Sequence, residues 1–121
     1  MSKRMFLAGT MTVQPSSNRE AFQAAAKKLS ERGIDVVVQA EYPPPCSGPR
    51  QWLTAMRANI TELVRCDGVA FMHDWQHSKG AYLMSQIALT LGLDVFFLDA
   101  EGNMQEEDLP RLDRLQWSVP L

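Results

Sequence analysis

The chain has 121 residues, 45% hydrophobic and 21% charged, enough for one well-filled core and not for two. Twelve basic against 14 acidic side chains leave a net charge of −2 and no basic footprint for a nucleic-acid duplex, although a helix start can still hold a small anion. The longest apolar runs are far too short to span a bilayer and MSKRMFLAG lacks a signal peptide's apolar stretch, so a cytoplasmic protein without membrane contact is expected.

RMFLAG, residues 4 to 9, is a short apolar run stopped by glycine, the pattern of a buried parallel strand. A helix follows on Phe22, Ala25, Ala26 and Leu29, with Ser17 or Asn18 as its expected N-cap, Glu20 in its first turn and Gly33 as its stop. IDVVVQ, 34 to 39, is a continuous run rich in β-branched residues and predicts a second buried strand. The prolines of AEYPPPCSGPR, 40 to 50, favour a stiff extended connection over a ligand lid.

From Gln51 a second helix carries Trp52, Met56, Ile60 and Leu63 on one stripe and ends near Cys66. GVAFMH, 68 to 73, predicts the third strand. A helix after Gly80 places Met84, Ile87, Ala88 and Leu91 on one face, and DVFFLD, 94 to 99, predicts the fourth strand. In the tail, acids, Pro110 and three leucines predict a short closing helix within 100–121. Cys46 and Cys66 have neither CxxC nor metal-ligand spacing and read as a loop thiol and a packed thiol, with no metal and no cofactor implied.

Strands alternating with helices imply right-handed crossovers and a single α/β domain over 1–121: a flavodoxin-like, doubly wound parallel sheet of four to five strands with its core at 4–99. In that topology the ligand crevice opens where the connections of the first and third strands diverge. Gly9, Thr10, Met11 and Thr12 would then stand beside Asp74 to Gly80. Ser78, Lys79 and Gly80 before a helix suit a phosphate or carboxylate, but the same residues serve as ordinary capping and solvated charge. His73 and His77 can move protons near neutrality, yet no nucleophilic Ser or Cys is identifiable beside them. Asp74 is either a catalytic acid or turn chemistry. Asn59 shares the apolar stripe of Met56 and Leu63, so its amide must bridge to backbone or touch a ligand.

The segments MFLAGTMT, NREAFQAAAKKLSERGIDVVVQAE, WLTAMRANITELVRCDGVAF and DWQHSKGA with ALTLGLDV, across roughly residues 4 to 96, resemble the nucleoside 2-deoxyribosyltransferase-like family. That family includes the deoxynucleotide N-glycosidases and small bacterial and phage members. The resemblance implies a flavodoxin-like fold, homodimers or larger assemblies, and cleavage of a base from deoxyribose through a glutamate nucleophile. By the family's spacing the nucleophile would stand four residues after Gly80, where this chain has Met84. Its assisting aspartate would stand eight residues before Asp67, where this chain has Asn59, and its first-strand tyrosine corresponds to Phe6. Ser78 falls on the serine that holds the 5′-phosphate, and Gly9 and Thr10 on the first phosphate or sugar loop.

A thioether cannot become a carboxylate and an amide cannot act as an acid. The expectation is therefore a catalytically silent relative that binds a nucleotide-like or other phosphorylated small molecule, with Met11, Met84, Phe6 and Asn59 also lining the site. The alternatives are an active N-glycosidase or deoxyribosyltransferase with a displaced carboxylate, Asp74 or Glu41, and a purely structural oligomeric protein.

Overall fold

The computed structural model describes residues 3–9, 15–38, 49–73 and 75–105, with the backbone alone at 15–19, 49 and 51. Four strands, β1 (Lys3–Ala8), β2 (Ile34–Val38), β3 (Gly68–Phe71) and β4 (Asp94–Phe97), alternate with three helices, α1 (Pro15–Ser30), α2 (Pro49–Leu63) and α3 (Lys79–Thr90). All strand pairs are parallel and the order is β2-β1-β3-β4, the flavodoxin-like arrangement.

The pleat of the strands separates two cores. Met5 and Leu7 of β1, Ala70 of β3 and Phe96 of β4 point to one face, where Phe22, Ala25 and Leu29 of α1 cover them. Phe6 and Ala8, Val69 and Phe71 point to the other, under Met56 and Leu63 of α2 and Met84 and Ala88 of α3. Phe6, Phe71 and Phe96 are fully buried, each adding roughly 1.5–3 kcal/mol of transfer free energy.

Several boundaries differ from the sequence expectation. α1 begins at Pro15, so Ser17 and Asn18 lie inside the first turn and Glu20 beyond it. Proline has no N–H to lose and a helical φ, so it suits that first position. β2 is an edge strand in which only Ile34 is buried, not a fully covered one. Leu91 caps α3 instead of extending its apolar face and is exposed.

Helix ends follow the glycines. Gly92, at φ +76°, lets the chain turn back so that Leu93 N–H reaches the Ala88 carbonyl at 2.9 Å. After β4 the chain does not enter a helix at 100–105. Leu98 pairs with Met104 in an antiparallel bridge, and Asp99 Oδ1 accepts the N–H groups of Glu101 (3.0 Å) and Asn103 (2.8 Å). These two backbone donors hold the Asp99 carboxyl below its ordinary pKa, Asn103 first. The rest of the tail, 106–121, lies outside the described residues, as do the proline segment and Cys46. Among the described residues no helix is long and apolar enough to cross a membrane.

Candidate ligand-binding site

The carboxyl ends of β1 and β3 are joined in register, Ala8 opposite Phe71, and Met72 N–H extends the pairing to the Ala8 carbonyl at 2.8 Å. Gly9 therefore emerges directly against Met72. A Cβ at position 9 would stand 2.7 Å from Met72 Cβ and Cγ, so only glycine fits this crossing. The loop after β1 and the loop after β3 thus start side by side, as the topology requires.

From Met72 the chain runs through His73, then one turn of 3-10 helix, Trp75–His77, closed by Trp75 N–H to Met72 O and Ser78 N–H to Trp75 O, both 3.0 Å. Ser78 is extended (φ −107°, ψ 117°) and is the N-cap of α3. Its Oγ accepts Ala81 N–H at 3.1 Å. A serine hydroxyl also carries a proton to donate, so the capping bond leaves one hydrogen available for an anion. Gly80 is buried in the first turn, and the first-turn N–H groups of a helix have no partners within it.

Lys79 is exposed but is not a free cation. Its Nζ lies 5.0 Å from the centre of the Trp52 ring on α2. His73 and His77 are both exposed at the same end of the sheet. Thr10, Met11, Asp74 and Glu41 fall outside the described residues.

Phe6, Met84 and Asn59 lie in the interior. Phe6 is 0% and Met84 1% exposed, in one cluster with Met56, Leu63 and Phe71. Asn59 is 3% exposed and makes an interaction; among the described residues no buried side-chain nitrogen or oxygen lacks a hydrogen-bond partner. The first- and third-strand ends thus bring Gly9, Ser78 and Gly80 to the same end of the fold. Among the described residues no group of three His, Cys, Asp or Glu is placed to hold a metal.

Sequence reasoning missed the aromatic packing on the β4 side of the loop. Trp75 lies 5.2 Å from Phe71, 5.5 Å from Phe97 and 6.2 Å from Tyr82, ring centre to ring centre. The available signal was the strand period, which places Phe97 on the same face as Val95 and hence beside Phe71.

The family model described as "Domain of unknown function (DUF4406)" matches residues 3–97. The chain belongs to that family. No curated protein sequence matches this DUF4406 chain. Among solved structures it is similar to the Clostridium botulinum CMP N-glycosidase BcmB, at 21% identity and a TM-score of 0.52, over 93% of this chain and 82% of that one. It is similar also to a conserved protein from Enterococcus faecalis, at 14% identity and a TM-score of 0.53, over 95% and 75% of the two chains. The DUF4406 chain therefore shares the flavodoxin-like α/β fold of these two proteins.

Proposed function

We propose that the protein is a catalytically silent member of this fold that binds a nucleotide-like or other phosphorylated small molecule at the start of α3. The observation that carries the reading is the burial of Met84. At the position where the family resemblance expects the nucleophile, a thioether is 1% exposed and packed with Phe6 in an apolar cluster. Neither side chain can attack an anomeric carbon or bond a carboxylate.

Ligand binding is supported by the groups above that cluster. The Ser78 hydroxyl and the first turn of α3 offer O–H and N–H donors to an anion, at the end of the sheet where β1 runs into Gly9. Phosphate is the anion suggested by the resemblance of Ser78, and the CMP N-glycosidase among the structural relatives is consistent with a nucleotide. The proposal includes a homo-oligomer. No charged residue occurs between Gly80 and Leu93, yet Tyr82, Leu83, Leu89 and Leu91 are exposed, a face that a second copy would cover.

The test is incubation with deoxynucleosides, deoxynucleotides and CMP, followed by assay of free base and of thermal stability. No base is expected, whereas a bound nucleotide at a hundredfold its Kd adds roughly 2.7 kcal/mol of stability. Base release abolished by Asp74→Ala or Glu41→Ala would refute the silent reading in favour of a displaced carboxylate. A thermal shift unchanged by Ser78→Ala would refute the phosphate assignment, and a monomer by light scattering the oligomer.

A further inference from the structure

An open cleft of about 620 Å3 lies at the carboxyl ends of β3 and β4. Its lining includes His73, Trp75, Gln76, Phe97, Asp99 and Gln105. The volume is in the range of small-molecule sites.

The walls are held on both sides. Trp75 is wedged among Phe71, Phe97 and Tyr82, so its indole is fixed by ring contacts. Phe97 as a residue remains 40% exposed. Opposite, the turn at 99–103 is closed by Asp99 Oδ1 bonding two backbone N–H groups, by Gly102 N–H to Asp99 O at 2.9 Å, and by Lys28 Nζ to Glu101 O at 2.6 Å. Gln105 Nε2 reaches the Phe97 carbonyl at 3.4 Å and fixes the rim.

The described lining combines exposed aromatic surface with one carboxylate, two amides and the His73 imidazole, and among the described residues it holds no lysine or arginine. Lys28, the nearby cation, has its ammonium on the Glu101 carbonyl and its charge also acts on Asp99 from outside the lining. Aromatic faces attract cations and flat rings, and a carboxylate pairs with N–H donors in a plane. We propose that this cavity is a binding site for a flat aromatic cation rich in N–H donors, of the amidinium or aminopyridinium class, stacked on Phe97 and paired to Asp99. Ser78, the proposed anion position, is not among the described lining residues, and the proposed charge preference is the opposite one.

Benzamidine is the probe, with benzoate as the flat anion of the same size. In 15N-labelled full-length protein, benzamidine raised to about 10 mM, a range suited to a ligand of so few atoms, is expected to shift the Trp75 indole and the 97–105 amides saturably. Benzoate is expected to bind about tenfold more weakly or not at all. Phe97→Leu and Asp99→Asn should each weaken benzamidine about fivefold or more, while Ser78→Ala leaves it unchanged. Asn at position 99 keeps the oxygen that closes the turn, and the dispersion of the amide spectrum verifies that each variant is folded. Absence of a saturable shift, benzoate binding as tightly, shifts confined to other regions, or indifference to Asp99→Asn would each overturn the proposal.

Discussion

The Lys79 ammonium stands 5.0 Å from the centre of the Trp52 indole, joining the first turn of α3 to the first turn and a half of α2. A cation that sequence spacing assigns to an anionic ligand is thereby shared with an aromatic face. Such a pairing at an exposed site contributes about 0.5–1 kcal/mol. Trp52→Leu with Lys79→Met in a double-mutant cycle, followed by urea unfolding, should return a coupling of about that size. A coupling of zero would mean that Lys79 is free to serve the ligand alone.

Restoring a carboxylate at position 84 tests whether that position is a core or a site. Met84 is sealed among Phe6, Met56, Leu63 and Phe71, so Met84→Glu places an unpaired charge in apolar surroundings at neutral pH, at a cost of about 3 kcal/mol or more. Burial raises the pKa of such a carboxyl above its unfolded value of about 4.3, so the charge part of the penalty is absent below that pH and grows as pH rises, while the cost of burying the neutral carboxyl stays. Urea midpoints should lie moderately below those of Met84→Leu near pH 4 and much further below them at pH 7.5. Equal midpoints at both values would show that position 84 opens to a hydrated pocket.

The fold was legible because its signals are periodic. Alternation along RMFLA sends Met5 and Leu7 to one core and Phe6 and Ala8 to the other, and a two-residue period survives without knowledge of the neighbours. Asn59 was legible as a buried amide from helical spacing alone. What escaped was set by tertiary context: β2 reads as a covered strand, yet its exposure follows from its place at the sheet edge, which a β-branched run does not encode. Ser78 shows the limit at the site. Its capping bond to Ala81 was foreseeable, but a capping serine and a phosphate-binding serine have the same local sequence.

Cys66 should resist alkylation in the folded state. It is 2% exposed, its Sγ donates to the Glu62 carbonyl at 3.3 Å, and burial raises its pKa from 9.0 to about 11 against the opposing pull of Arg4. Iodoacetamide at pH 8, read by peptide mass spectrometry, should label Cys66 only in urea. The raised pKa also fixes a sign: its stabilising contribution is complete below about pH 9 and is lost as pH climbs through about 11. Cys66→Ala should flatten that alkaline limb of the stability curve, and a limb unchanged in the variant would assign it to another group.

Gly9 and Gly33 separate two reasons for a glycine. At Gly33 nothing lies within 4 Å of an added Cβ, but φ is +82°, so Gly33→Ala should cost about 1–2 kcal/mol through backbone conformation alone. Gly9 is not among the described positive-φ glycines; its restriction is the 2.7 Å approach to Met72 Cβ and Cγ, atoms too near the backbone to swing aside. Gly9→Ala should therefore cost about 1–3 kcal/mol by overpacking. Met72→Gly, which removes both opposing atoms, should recover part of the loss in the double variant, whereas no second-site change should rescue Gly33→Ala. Strict additivity of Gly9→Ala and Met72→Gly in urea denaturation would contradict a steric origin. Positive coupling would show that the close approach of the β1 and β3 loop starts is what excludes a side chain at position 9.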